Sequence, residues 1–516
     1  MFSSRLALHA FAVSALLLAA PAAARQDLAS RVDGWVDANQ GAIVRELTEF
    51  LRLPNVASDL DDIRSNAAAL RSMMERRGIE TRLLETGGAP MVFGELASPG
   101  ASTTILFYCH YDGQPVDPAA WSGHAPFEPL LRSGSLAEGA GTLPLEGQER
   151  FEDDWRIYAR SASDDKAPIV ALMAALDALR AAESSPTVNL KFLFEGDEEA
   201  GSPHMRETIE RHRDLFAADL VIMADGPEHP SGRPTVVFGV RGITSVRIVV
   251  YGPGRPLHSG HFGNWAPNPA MDLARLLASM KDDEGRVLVA GFYDDVEPLS
   301  AEEQAAIRAL PADVPESYGF LVPEGGPGAL RLERIALPSL NVRGMASAWV
   351  GDQVRTIVPD SAIAEIDLRL VPDVQPVDQV ARVVEHVRAQ GYHVVTDLQP
   401  PDAALRARHA RVAWMPARQG GYPATRTAFD HPIARAVIDA VGGWTGEEPA
   451  LMPMMGGSVP GVWFPDVAGT PLVLLPIVNE DNNQHSPNEN VRLGNLFDGI
   501  GTFAAVMRLR RDGVSQ

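Results

Sequence analysis

Two textures of apolar and polar positions divide the chain. In the first, short and almost continuous apolar runs recur: TILFYCH from Thr104, VNLKFLFEG from Val188 and ADLVIMAD from Ala218. Between the first two lies DDKAPIVALMAALDALRAA, a helical segment opened by Pro168. Strand, helix and strand in that order predict parallel pairing in an α/β sheet. Ahead of them, roughly Leu28–Arg52 and Ile63–Arg77 carry helical patterns. Near Phe238 the texture changes. GITSVRIVVYG reads as a strand with one exposed face and SAIAEIDLRLVPD as another strand. NPAMDLARLLASM and VDQVARVVEHVRAQG read as amphipathic helices, the second ended by Gly391. Asp282–Pro338, rich in Pro, Gly and acidic residues, is expected to be mostly irregular. The cluster QGGYPAT, Gln419–Thr425, marks a return to α/β texture, with PLVLLPIV as a buried strand and VRLGNLFDGIGTFAAVMRLRR as a closing helix. The expected layout is a domain over residues 25–237 that resumes at 425–516, interrupted by an α+β insert over 238–424.

Length supports that division, since 516 residues exceed one ordinary core. A hydrophobic content of 45% with 22% charged residues is that of a folded chain. The formal net charge of -22 repels phosphate backbones and argues against nucleic acid as a partner. The N-terminus adds a leader. Arg5 gives a positive start, Leu6–Ala20 an apolar core and Ala22, Ala23 and Ala24 a small-residue cleavage site. Residues 1–24 are expected to be a signal peptide, leaving an exported protein, periplasmic or secreted, with no membrane span. A single cysteine excludes an internal disulfide.

Ionisable residues collect where the buried strands end: His110 and Asp112, then Glu198 and Glu199, then Asp225, then His485. Asp164 and Asp165 precede the helix opened by Pro168. Singly, each has a structural explanation: a histidine packed after a strand, a solvated pair of glutamates, an aspartate capping a helix. Ligands of open α/β sheets bind beyond the carboxyl ends of the strands, so the repeated placement suggests one shared site. Its residue types are those a two-metal hydrolase needs. Cys109, beside His110, alternates with it along the strand and is expected to be a small buried hydrophobe.

The pieces HYDGQPVDP, SASDDKAP, FEGDEEAGS, ADGP, LHSGHFG, IDLRLVP, GGSVP and QHSPNEN together resemble the M20 family of dinuclear zinc peptidases, over essentially the whole chain after the leader. That family includes carnosinase-type dipeptidases, glutamate carboxypeptidases and aminoacylases. The resemblance implies a zinc-exopeptidase-like α/β catalytic domain with an inserted α+β lid and dimerisation domain. It implies two Zn²⁺ per subunit, with Mn²⁺ or Co²⁺ also compatible. His110 and Asp225 would hold one ion, Glu199 and His485 the other, and Asp164 would bridge them, across a cis Asp164–Asp165 peptide. Asp112 would orient His110, Glu198 would be the general base acting on metal-activated water, and His258 would stabilise the oxyanion. Arg369, Thr356 and Ser458 would contact the substrate terminus.

One departure stands out. Many relatives carry Arg-Glu before Gly-Gly-Ser, whereas this chain has Met454-Met455-Gly456-Gly457-Ser458, so a more apolar substrate wall is expected. The expected function is hydrolysis of dipeptides or short peptides by a homodimer formed through the insert. The rival within enzymes is an N-acyl amino acid amidohydrolase, and the rival of another class is a non-catalytic binding protein on the same fold, disfavoured because every expected metal ligand and Glu198 are present.

Overall fold

The computed structural model describes residues 5–417 and 421–509, with side chains from residue 26 onward. The expected leader therefore falls largely outside the description: residues 1–4 are not covered, and residues 5–25 are covered only as the start of a backbone helix, Arg5–Leu51. Part of the Gln419–Thr425 return segment is likewise outside it. No helix among the described residues is long and apolar enough to cross a membrane.

The chain forms two compact units. One comprises Met1–Phe238, Thr427–Met452 and Trp463–Gln516; the other comprises Gly239–Arg426 and Pro453–Val462. The short Pro453–Val462 segment thus packs with the second unit, although the residues on either side of it belong to the first.

The first unit is built on an eight-stranded sheet. Its centre is four parallel strands in the order Asn189–Glu195, Thr104–His110, Leu220–Met223 and Leu472–Leu474. Ile105, Leu106, Phe107, Tyr108 and Cys109 are all buried, because helices cover both faces of a parallel sheet. The helix Ala167–Ala181 is apolar nearly all round and buries twelve of its residues. Against the same sheet lies the closing helix Leu493–Met507, with Phe503 edge-on to Phe107 at 6.0 Å. The long first helix buries Leu28, Val32, Val36, Ile43, Leu47 and Leu51, a stripe at four- and seven-residue spacing.

In the second unit a five-stranded sheet carries Gly242–Tyr251 paired antiparallel with Ser361–Leu370, and the latter with Ser339–Ala346. Along Ser361–Leu370 every second residue is buried. That alternation places Ala362, Ala364, Ile366, Leu368 and Leu370 in a core shared with the helices Pro269–Ala278 and Pro376–Ala389. The stretch expected to be irregular contains two short α-helices, Ala301–Arg308 and Arg331–Ile335, and a 3-10 turn, Pro315–Tyr318. The first begins at a reciprocal cap: Ser300 Oγ accepts from Glu303 N, and the Glu303 carboxylate accepts from Ser300 N. Composition concealed a start signal that residue spacing carries.

Candidate metal centre

The parallel topology brings the carboxyl ends of the central strands together. His110 is the last residue of its strand, Glu198 and Glu199 follow Asn189–Glu195 by a short turn, and Asp225 lies two residues beyond Met223. His485 sits in the loop after Leu472–Leu474, at positive φ. Asp164 arrives from a tight turn, Ala162–Lys166, ahead of the Ala167–Ala181 helix, and the Asp164–Asp165 peptide is cis.

Two groups of donor atoms result. One is His110, Asp164 and Asp225; the other is Asp164, Glu199 and His485, and within each group the atoms lie within 4.8 Å of one another. Asp164 belongs to both. His110 Nε2 is 2.7 Å from its Oδ1, and His485 Nε2 is 3.1 Å from its Oδ2 and 3.5 Å from Glu199 Oε2. On the other side of the His110 ring, Nδ1 lies 3.2 Å from the Asp112 carbonyl and 3.4 Å from its carboxylate. A ring that donates Nδ1–H to Asp112 presents a lone pair at Nε2, and Asp164 presents another directly opposite. Two acceptors in that position need a proton or a metal ion shared between them.

The electrostatics agree. Burial, and then repulsion by Asp164, lifts the Asp225 carboxyl to about 6 and the Glu199 carboxyl to about 7. Hydrogen bonding to Asp164 takes the His485 imidazole up to about 9. His110 is pushed well upward as well, because the attraction of Asp164 outweighs a burial that opposes charge. Acidic groups packed this closely, their carboxyls raised by burial and mutual repulsion, gain from a divalent cation placed among them. The residues therefore fit metal ions.

Asp112 lies beyond the end of its strand, so strand alternation does not govern its direction. It does approach His110, and it also accepts from Glu198 N at 3.2 Å and from Glu199 N at 2.9 Å. Gln114 Nε2 donates to Glu199 Oε2 at 2.6 Å. Cys109 is fully buried, and burial, then Asp165, raises its thiol well above the ordinary range.

One contributor escaped the sequence reading. Glu489, fully buried, accepts from Arg160 Nη1 (2.6 Å), Ser161 N (2.9 Å), and Ser163 N, Ser163 Oγ and Asp164 N (each 3.0 Å). It clamps the turn that delivers Asp164. The only signal was its place in QHSPNEN, four residues after His485.

The remaining candidates lie in the second unit. His258 and Thr356 are neighbours: His258 pairs with Ile357 across two short strands, and Ser259 N donates to the Thr356 carbonyl. Arg369 Nη1 donates to Ser458 Oγ at 3.1 Å, and Ser458 Oγ donates to the Arg241 carbonyl at 2.6 Å. Met454 departs from its expected place on a substrate wall. It is 1% exposed and packs within the core of the second unit with Val250, Leu368 and Met415. An apolar side chain follows that gradient into the sheet, where an arginine could not go without leaving its charge unpaired.

Parallel strands presenting these donors at their carboxyl ends define a metal-dependent α/β hydrolase. The chain belongs to peptidase family M20/M25/M40, whose model matches residues 106–509, and it is a metallopeptidase. It is 27% identical over 503 residues to the Beta-Ala-His dipeptidase of Homo sapiens, covering 93% of this chain and 92% of that one. With a Cys-Gly metallodipeptidase of Schizosaccharomyces pombe it shares 25% identity over 491 residues, 91% of this chain and 95% of the relative. Among solved structures, the M20 family metallo-carboxypeptidase Sso-CP2 from Sulfolobus solfataricus superposes with a TM-score of 0.71 at 30% identity, covering 90% of this chain and 98% of that one.

Proposed function

We propose that the protein is an exported exopeptidase that hydrolyses dipeptides or short peptides with two zinc ions. The observation that carries this reading is the Asp164 carboxylate, whose two oxygens face two different imidazoles, at 2.7 Å and 3.1 Å. His110 and Asp225 would hold one ion, Glu199 and His485 the other, and Asp164 would serve both. Imidazole and carboxylate donors suit Zn²⁺, and Mn²⁺ or Co²⁺ suits the same set. When bound, the ions supply Lewis acidity toward the scissile carbonyl and make water a better nucleophile at neutral pH.

The chain's own residues do the rest. Glu198 takes a proton from the attacking water and hands it to the leaving amine. Burial raises its carboxyl, with Asp225, Asp164 and Glu199 adding to the shift against the pull of His110. Asp112 fixes the backbone of both glutamates, so that Glu199 can bind while Glu198 faces substrate. His258 Nδ1 accepts from Gly260 N at 3.0 Å, which leaves the proton of the neutral ring on Nε2, free to be donated to an oxyanion. Arg369 offers its fork to the substrate carboxylate, with Ser458 and Thr356 as polar contacts. The relatives' names, Beta-Ala-His and Cys-Gly dipeptidases, support short peptides as substrates. Among the described residues the Ser339–Ala346 strand pairs on one side only, and it exposes Val342 and Met345, which supports a homodimer through the inserted domain.

Glu198→Gln should keep two metal equivalents and lose at least about 100-fold in turnover; wild-type turnover would overturn the base assignment. A panel of free dipeptides against N-acetyl amino acids separates peptidase from amidohydrolase. The N-terminal residue of protein recovered outside the cytoplasm tests export and cleavage near Arg25.

A further inference from the structure

The second unit contains a cavity of about 450 Å³ between the Ser339–Ala346 strand and the 282–338 stretch. Its walls are largely apolar and aromatic, with Tyr293, Tyr318, Phe320, Pro323, Ile335 and Leu340 among them. That size and lining are those of a site for a small organic molecule.

Four cationic side chains also line it, and they fall into two kinds. Lys281 is paired with Glu324 at 2.6 Å and Arg331 with Asp313 at 2.9 Å. Arg241 and Arg334 have no ion-pair partner among the described residues. Arg241 is 7% exposed; its Nη2 donates to the Leu337 carbonyl at 2.7 Å and to Ser339 Oγ at 3.0 Å, while its Nε–H is buried with no acceptor. A buried guanidinium held by neutral acceptors, with one donor unmet, is costly unless an anion completes it. Its nearest charged influences are opposed, since Arg369 repels it and Asp367 attracts it. Arg334 lies against the backbone at Gly325, where an added Cβ would come within 3.1 Å of its Nε, so the loop is shaped around that side chain.

We propose that this cavity binds a small amphipathic carboxylate, its aromatic or aliphatic body against Tyr293, Tyr318, Phe320 and Leu340 and its carboxylate at Arg241 and Arg334. The ligand's carboxylate supplies the negative charge that neither guanidinium finds in an ion pair among the described residues. The apolar walls favour a body without further charge. The site belongs wholly to the second unit and is distinct from the cluster around Asp164.

The test is calorimetric titration of 3-phenylpropionate and its neutral amide, 3-phenylpropanamide, into the full metal-loaded chain, with binding read without turnover. One equivalent of the acid should bind, and the amide should bind at least about tenfold more weakly. Ala329→Trp, which fills the cavity, should abolish binding, and Arg334→Gln should weaken it about tenfold while both variants keep the wild-type circular dichroism spectrum. Arg241→Gln should behave like Arg334→Gln; if it does not fold, the other two variants decide. Equal binding of acid and amide, acid binding that survives Ala329→Trp, or no saturable binding at about millimolar acid would each overturn the proposal.

Discussion

Replacing Glu489 by Gln tests whether the turn bearing Asp164 is held by a single buried carboxylate. Oε1 accepts from Ser163 N, Ser163 Oγ and Asp164 N, while Oε2 accepts from Arg160 Nη1 and Ser161 N. An amide can keep one of these faces but must turn its NH₂ toward the other, where it meets donors instead of supplying an acceptor. With the NH₂ at Oε2, Arg160, whose side chain is 3% exposed, loses its only ion-pair partner among the described residues. Removing one member of a buried ion pair costs about 3–5 kcal/mol, and each orphaned buried N–H about 1–3 kcal/mol. Relaxation and an entering water offset part of this, so a net loss of about 4 kcal/mol is expected, a large share of the stability of a typical domain. The assay is urea unfolding of the metal-free protein, paired with chelator competition on the loaded protein. Because the turn that delivers Asp164 is then held on one side only, metal affinity should fall about 10- to 100-fold as well. A variant within about 1 kcal/mol of wild type that retains full metal affinity would refute the clamp.

Three further outcomes can be measured. Glu228, pressed by burial and by Asp498, holds its proton up to about pH 8, against 4.5 when unfolded; its contribution is complete below 4.5 and is lost as pH rises through about 8. Thermal scans between pH 6 and 9 should therefore show falling stability, with a shallower fall in Glu228→Gln. Met454→Ala should cost about 2–5 kcal/mol through a core cavity, with dipeptide preference unchanged; altered preference without destabilisation would return Met454 to the substrate wall. Cys109→Ala should leave metal content intact, and native protein should resist thiol reagents, because the sulfur is fully buried.

The fold was readable wherever one physical rule acted alone. Ser361–Leu370 has one wet face, so its alternation survives in the sequence, and the central parallel strands have none, so they appear as unbroken apolar runs. Ala301–Arg308 was obscured by its acidic, proline-flanked surroundings, although Ser300 and Glu303 stand at capping distance. The donor residues were visible because each follows a buried strand or opens a helix, while their separate roles came from the family resemblance. Glu489 was not visible: it acts on Asp164 from 325 residues away, and only the folded chain reveals which turn it grips. Met454 shows the converse: it stands beside the Gly-Gly-Ser motif in sequence, yet its side chain belongs to the core.

The Glu489 clamp also bears on when the enzyme becomes competent during its synthesis. His110, Asp112, Asp164, Glu198, Glu199 and Asp225 are all made early, yet the turn carrying Asp164 is fastened by a residue that leaves the ribosome just before the closing helix. A nascent chain, or one cut before QHSPNEN, holds most of the donors but neither His485 nor the anchor for Asp164. Peptidase activity is thereby tied to synthesis through QHSPNEN, and cleavage ahead of that segment should disarm the enzyme rather than leave a partly active remnant.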